Sequence, residues 1–223
     1  MSYRSLFAVA VLAAMLLAPL AQASVQYSAP YDPNSYNAWG SDTNIPQYGF
    51  ADYYWDGSFS ITDFHWWGVP LAGNGVIDGF TVEVWSHDAS WAGPDQMLYS
   101  EYFGGDAGAT FVETNSNFYH DVFKYGVDFS NPLTLPGAGY YWFSVYAHST
   151  DSYWNWAWSA ADDFNSNWIF APPSTWFGVE EGNLEYAGFA FEITGGEVPE
   201  PTTLALFGVG LAGFAARRLR RKK

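Results

Sequence analysis

Three tryptophans, Trp154, Trp156 and Trp158, occupy alternate positions of one short stretch of the chain. In a β-strand such residues share one face and lie about 7 Å apart, so their indoles would form a flat row. On a face open to solvent, this row would suit stacking on successive sugar rings. On a face packed against another sheet, the same indoles would belong to the core. The spacing therefore predicts either a carbohydrate-binding platform or a core strand, and the exposure of the rings separates the two.

The densest group of side-chain oxygen ligands follows this stretch and consists of Asp162, Asp163, Asn165 and Asn167. It begins like a calcium-binding loop, but Trp168 stands where such a loop requires glycine, and Ser174 stands where it requires a bidentate glutamate. We therefore expect an Asx-rich turn and no cofactor. Calcium bound by this turn with help from a second loop is the alternative.

The sequence shows no spacing typical of a catalytic site. Its histidines are scattered, with no HxH or HxxxH pair: His65, His87, His120 and His148. Cysteine is absent, which excludes thiolate nucleophiles and thiolate metal sites. A glycoside hydrolase needs two carboxylates about 5–9.5 Å apart, and the sequence singles out no pair. We therefore expect a protein that is not an enzyme, with a secreted polysaccharide hydrolase as the contrasting class.

Charge divides the chain into an acidic body and a basic C-terminus. All 23 acidic residues lie between Asp32 and Glu200, where Lys124 is the only basic residue, so this part has a formal net charge of −22. Nucleic-acid binding needs lysine and arginine against the phosphates, so a general nucleic-acid binder is excluded. The same charge repels anionic lipid surfaces and favours solubility.

The body, residues 24–197, has the length of one domain and the pattern of a β protein. Segments rich in aromatic and β-branched residues, with stretches of period two, cover residues 59–67, 78–86, 97–103, 118–129, 139–148, 152–159 and 185–193, and residues 48–55 form a further first or edge strand. Clusters of turn residues separate them, and no amphipathic helix of sufficient length appears. We predict an all-β fold, an antiparallel two-sheet sandwich with jelly-roll or Ig-like topology.

Alternation along two of these segments predicts which residues fill the core. We expect these side chains to face inward: Phe80, Val82, Val84, Tyr141, Phe143, Val145 and Ala147. We expect these to face outward: Thr81, Glu83, Trp85, Tyr140, Trp142, Ser144 and Tyr146. Trp66, Trp85 and Trp142 are expected on a partly covered outer face, which is more aromatic surface than a plain sandwich requires.

Residues 1–23 have the order of parts found in a secretory signal peptide. Arg4 supplies the positive charge, residues 6–20 form the apolar core, and Ala21-Gln22-Ala23 is the cleavage site. The signal predicts recognition by Sec-type export machinery and a mature chain that begins at Ser24.

Residues 198–223 form a second signal of three parts. These are a short motif (Val198, Pro199, Glu200, Pro201), an apolar segment at residues 202–216, and a basic cluster (Arg217, Arg218, Arg220, Arg221, Lys222, Lys223). The apolar run from residue 204 would be a helix about 20 Å long, shorter than the hydrocarbon core of about 30 Å. We predict one short transmembrane helix with its basic end in the cytoplasm and the body in the periplasm.

In these three parts the tail resembles the PEP-CTERM sorting signal of Gram-negative bacteria. The resemblance implies that an exosortase, a membrane cysteine protease, removes the tail. The protein would then be anchored in the inner membrane only transiently, before it reaches the cell surface or the extracellular matrix. The body resembles, over about residues 48–193, an unassigned β-rich ectodomain found with such tails.

Together these features predict an exported, exosortase-sorted surface or matrix protein. We expect a non-enzymatic structural or adhesive role associated with exopolysaccharide or biofilm. A carbohydrate-binding module that uses an exposed tryptophan face is the more specific alternative.

Overall fold

The computed structural model describes residues 24–34, 38–43, 48–71, 76–87, 94–117, 119–150, 156–161, 167–171, 175–178 and 188–197. They form fourteen strands: β1 (Ser24–Ala29), β2 (Ala38–Gly40), β3 (Tyr48–Trp55), β4 (Phe59–Pro70), β5 (Ile77–His87), β6 (Pro94–Gly104), β7 (Thr110–Asn115), β8 (His120–Leu135), β9 (Gly139–Ser149), β10 (Trp156–Ala161), β11 (Asn167–Ala171), β12 (Thr175–Gly178), β13 (Gly188–Phe189) and β14 (Phe191–Glu197). Within these ranges no helix is long and apolar enough to cross a membrane. The expected signal peptide and the expected transmembrane segment lie outside them.

The strands form two sheets in which every ladder is antiparallel. One has six strands in the order β12, β11, β3, β9, β5, β6. The other has eight strands and is built around β4, which pairs with β14 on one side and with β8 on the other. In this sheet β1 flanks β14, β7 flanks β8, and β10 joins the C-terminal end of β4 to β2 and β13. The expected all-β, two-sheet antiparallel architecture is confirmed, and its finer assignment to a jelly-roll or Ig-like topology stays a prediction.

Aromatic rings join the two sheets across a common core. Phe64 of β4 stacks on Phe143 of β9 with a centroid distance of 5.9 Å. Trp66 of β4 meets Phe80 of β5 edge-on at 5.3 Å. Rings of this size remove much apolar surface from water, which stabilises a sandwich that has no disulfide. The residues predicted to face inward from β5 and β9 are all buried, but Thr81 and Ser144, which were predicted to face outward, are buried as well.

Two of the three tryptophans expected on a partly covered outer face are instead fully covered. Trp66 faces inward and stacks on Tyr125 at 5.6 Å. A β-bulge between Ile61 and Asp63 shifts the alternation of β4, so Phe64 and Trp66 face the core together with Phe59 and Ile61. Trp142 lies on the outer side of β9, but it has 1% exposed surface because His87 stacks on it and it lies between Asp52 and Trp85 in register. Trp85 is half-buried, as expected.

Glu101 of β6 links the edges of the two sheets. Its carboxylate accepts hydrogen bonds from the backbone N–H of Ser130 in β8 at 3.2 Å, from the Ser130 hydroxyl, and from the hydroxyl of Tyr99. Burial raises the pKa of Glu101, but the hydrogen bonds from Ser130 and Tyr99 outweigh burial and hold the pKa below its usual value of 4.5.

This link should make the free energy of unfolding depend on pH. A carboxyl whose pKa is lower in the folded state contributes its full stability above pH 4.5 and loses it as the pH falls through the folded value. We expect Glu101→Gln to cost about 1–2 kcal/mol at pH 7, because hydrogen bonds to a charged group are worth more than neutral ones and the site is partly exposed. Urea unfolding at pH 7 and at pH 3 measures the effect. A variant that loses as much stability on acidification as the wild type would show that Glu101 does not carry this pH dependence.

Candidate functional site

Two members of the tryptophan row, Trp156 and Trp158, lie on β10, inside the molecule. Trp156 and Trp158 both have 0% exposed surface, so neither ring is available to a sugar. The platform interpretation is wrong for these two residues, and the core interpretation describes them. The reason is that other rings of the core cover this face of β10, since Trp156 packs edge-on against Phe80 of β5 at 5.3 Å and Trp158 stacks on Phe189 of β13 at 4.5 Å. Trp154 lies outside the described residues.

Trp158 is held by both polar and apolar contacts. Its indole Nε1–H donates to the carbonyl oxygen of Ala190 at 2.9 Å. Its ring stacks on Phe189 at 4.5 Å and meets Phe191 edge-on at 6.3 Å. The hydrogen bond removes the cost of burying the indole N–H, so the whole side chain serves the core.

Two other groups of predicted site residues fall largely outside the described part of the chain. Asp162, Asp163 and Asn165 lie there, and Asn167 is described only as the first residue of β11. Within the described ranges no group of three or more histidine or acidic side chains is arranged to hold a metal ion. The sorting motif at residues 198–201 and the basic cluster at residues 217–223 also lie outside the described residues. Calcium binding at the Asx-rich turn stays a prediction.

The outer face of the six-stranded sheet gathers aromatic and polar side chains from three neighbouring strands. At one end, Tyr54 of β3 meets Tyr140 of β9 edge-on with ring centroids 5.0 Å apart, and Tyr140 lies tilted against His87 of β5 at 5.5 Å. Tyr54 is 48% exposed and Tyr140 is 37% exposed. These strand-end residues form a shelf of three rings, in which the two tyrosines are exposed and His87 is half-buried and stacked on Trp142.

Glu83 of β5 lies further along the same face and is fixed by two donors. The indole Nε1–H of Trp85 donates to one carboxylate oxygen at 2.9 Å, and the hydroxyl of Tyr146 donates to the other, also at 2.9 Å. A carboxylate has about four lone-pair directions, so two acceptor positions remain for other donors. We call the six residues Tyr54, Tyr140, His87, Trp85, Glu83 and Tyr146 the outer band.

A second histidine closes the far end of this face. His148 Nε2 lies 2.7 Å from the hydroxyl oxygen of Thr81, and its ring packs against Tyr102 at 5.0 Å and Tyr146 at 5.5 Å. Burial lowers the pKa of His148, against the opposing effect of Asp42 and Asp78. A lowered pKa favours the neutral imidazole, so this end of the face is polar but not cationic.

The opposite outer face, on the eight-stranded sheet, holds the one basic residue of the body. Lys124 of β8 lies 3.3 Å from the carboxylate of Glu192 and 4.8 Å from the ring centroid of Trp67. His65 Nδ1 lies 3.5 Å from oxygens of both Asp63 and Glu192. The ammonium group is therefore already paired, and an anionic ligand would have to displace Glu192 to reach it.

An open depression of about 360 Å³ adjoins this cluster. It is lined by His65, Gly108, Thr110, Lys124, Tyr125, Gly126, Val127 and Asp128. Asp128 is the one carboxylate among these lining residues, whereas a glycoside hydrolase requires a pair. The imidazole of His65 lies across Gly126, where a Cβ atom would meet its Cδ2 at 2.2 Å. This close contact is typical of a ring that covers a strand glycine, so the histidine has a structural explanation.

Sequence reasoning identified the components of the outer band but not their assembly. Alternation placed Glu83, Trp85, Tyr140 and Tyr146 on outward faces, and all four lie there. It did not bring Tyr54 and His87 to Tyr140, because these residues come from strands far apart in the chain. The excess of outward aromatic residues in neighbouring strands was the available signal.

Residues 197–221 match the family model described as the PEP-CTERM protein-sorting motif. The match includes the predicted short motif, the apolar segment and most of the basic cluster. No curated protein and no solved structure matches the chain.

Proposed function

We propose that this PEP-CTERM protein, an exosortase substrate that is exported across the membrane, is a non-enzymatic structural or adhesive component of the cell surface or extracellular matrix. The observation that carries the proposal is the sorting motif at residues 197–221. An exosortase would remove the tail that this motif begins, and the β-sandwich would be left as the working part of the protein, associated with exopolysaccharide.

The composition of the body supports this role. With Lys124 as its only cation and a net charge of −22 between residues 24 and 201, the body is repelled by anionic membrane surfaces once it is released. Its aromatic core supplies stability without disulfides, and the exposed tyrosines of the outer band, Tyr54 and Tyr140, are available for contact with other matrix material.

Replacement of the sorting motif tests the proposal. We expect the full chain with Pro199, Glu200 and Pro201 changed to alanine to stay in the inner-membrane fraction with its tail attached, because the processing enzyme recognises an extended peptide. The wild-type chain should lose its tail and co-fractionate with exopolysaccharide. Mass spectrometry and immunoblots of membrane, surface and matrix fractions measure both effects.

A matched control changes residues in the body rather than in the motif. Pro132→Ala and Pro136→Ala, in and after β8, should leave processing unchanged. Absence of the wild-type protein from the surface and matrix fractions would overturn the proposed role. Release of reducing ends from exopolysaccharide by the purified wild-type protein would overturn its non-enzymatic part.

A further inference from the structure

We propose that the outer band on the six-stranded sheet is a binding site for an uncharged, hydroxyl-rich polysaccharide built from hexopyranose rings. This inference rests on the proposed function, since it names the matrix component that the exported sandwich would hold. It replaces Trp156 and Trp158 of β10, which are buried, with a different face of the molecule.

The first step concerns the three-ring shelf of Tyr54, Tyr140 and His87. A pyranose presents apolar C–H groups on its faces and hydroxyls around its edge, so it pairs well with an aromatic ring that has a polar rim. The two tyrosines are 48% and 37% exposed, and each carries a hydroxyl at its tip. The ring centroids of neighbouring shelf residues lie 5.0 and 5.5 Å apart with the rings inclined by 61° and 48°, so the three rings touch across three strands and each exposed tyrosine offers its own stacking surface.

The second step concerns the length of the band. From Tyr140 to Tyr146 the chain of β9 advances by six residues, which is about 20 Å at 3.4 Å per residue. The shelf lies at one end, and Glu83 with its two donors lies toward the other. Trp142 and Ser144, which lie between the two ends on this face, have 1% and 0% exposed surface, so a chain of linked sugar rings would contact the two ends and pass over a covered middle.

The third step concerns Glu83. Trp85 and Tyr146 each donate to a different oxygen of its carboxylate, which fixes the orientation of the group before any ligand arrives. Its remaining lone pairs can accept only hydrogen-bond donors, and sugar hydroxyls are such donors. Pre-orientation reduces the entropy that binding has to overcome.

The fourth step concerns charge. The body contains no arginine, and its single lysine, Lys124, lies in β8 of the other sheet, where Glu192 pairs with it. An acidic polysaccharide would therefore meet Glu83 and a body of charge −22 without a lysine or arginine to pair with its carboxylates. Charge thus selects uncharged glycans over uronic-acid polymers, although the two present the same kind of sugar ring.

Binding of defined glycans to the purified full-length protein in mild detergent tests the inference. The probes are a soluble neutral β-glucan and an N-acetylglucosamine hexamer, with polygalacturonate as the anionic counterpart and a glucosamine oligomer as the cationic one. We expect both neutral probes to bind and polygalacturonate not to bind. Calorimetry or affinity electrophoresis gives the dissociation constants.

Two variants locate the site. We expect Tyr54→Ala combined with Tyr140→Ala to weaken binding of the neutral probes by about tenfold or more, since two exposed stacking surfaces are lost. Glu83→Gln keeps the shape of the side chain and should weaken binding by about tenfold, because an amide has fewer acceptor positions and no charge. Phe111→Ala is the matched control, since Phe111 is 55% exposed but lies on β7 of the other sheet, and it should bind like the wild type.

Thermal unfolding of each variant confirms that the fold is retained. The inference is overturned if no neutral glycan binds, if the band variants bind as the control does, or if polygalacturonate or only the glucosamine oligomer binds. It is also overturned if the band variants change self-association of the protein without affecting glycans. If the double tyrosine variant remains in the exopolysaccharide fraction of cells, the band fails while the proposed matrix role stands. If purified wild-type protein binds neutral glycans but never reaches that fraction, the proposed matrix role fails while the binding site on the outer band stands.

Discussion

Replacement of Trp158 by alanine should destabilise the whole sandwich rather than weaken a surface interaction. The ring has 0% exposed surface, stacks on Phe189 and donates a hydrogen bond to the carbonyl of Ala190. Truncation of a buried tryptophan costs about 3–5 kcal/mol, because apolar contacts are lost and a cavity remains. Domains are stable by only about 5–15 kcal/mol, so a large part of the folded population at 37 °C would be at risk. Urea unfolding followed by circular dichroism measures the loss.

Trp158→Phe separates the two kinds of contact. A phenyl ring retains part of the stacking on Phe189 but cannot donate to Ala190, whose carbonyl also accepts the backbone N–H of Trp67 at 3.2 Å. We expect an intermediate loss of about 1–3 kcal/mol. If Trp158→Ala unfolded at the same urea concentration as the wild type, the core role of Trp158 would be rejected. If it also abolished glycan binding, Trp158 would be a ligand-binding residue after all.

The tryptophan row shows where sequence reasoning reaches its limit. A sequence period of two predicts that Trp156 and Trp158 share a face, and they do. It does not state what covers that face, because the rings that pack on it, such as Phe80 of β5 and Phe189 of β13, come from other parts of the chain. Burial of a face is a property of the pairing between distant segments, and a local pattern does not contain it.

The buried residues of β5 and β9 were predicted more accurately than those of β4, for a physical reason. β5 and β9 pair with each other over a long ladder, and their inward residues form continuous apolar rows such as Phe80, Val82 and Val84. In β4 a bulge between Ile61 and Asp63 shifts the alternation, so Trp66 faces the core. A bulge depends on the partner strand, and nothing in the residues of β4 alone indicates it.

The outer band illustrates the same division for the candidate site. Composition predicted an excess of aromatic residues over the needs of a core, and alternation placed Glu83 and Trp85 outward. The contact of Tyr54 with Tyr140 and the donation of Tyr146 to Glu83 depend on register between strands. The tail is the opposite case, because its three parts are contiguous in the chain, and the family match extends over residues 197–221.

Gly68→Ala should be strongly destabilising, although most glycine-to-alanine changes in compatible positions stabilise a protein by about 0.4–1 kcal/mol. A Cβ atom on Gly68 of β4 would lie 2.2 Å from Cζ2 and 2.5 Å from Nε1 of Trp156. The indole cannot withdraw, since it is fully buried and packs edge-on against Phe80 at 5.3 Å and Tyr125 at 6.1 Å. Overpacking of this kind costs about 1–3 kcal/mol, measured as a lower urea midpoint with an unchanged slope.

Gly139→Ala is the matched control, because Gly139 begins β9 and a Cβ atom there would meet nothing within 4 Å. A double-mutant cycle then assigns the clash to its partner. Trp156→Phe removes the indole atoms nearest to Gly68, so Gly68→Ala should cost less in that background than in the wild type, with a coupling of about 1–2 kcal/mol. If the stability losses of the two single variants simply add in the double variant, the strain lies elsewhere in β4. A Gly68→Ala variant as stable as Gly139→Ala would mean that the contact between β4 and β10 is looser than these distances require, and the tight packing that buries Trp156 would have to be rejected.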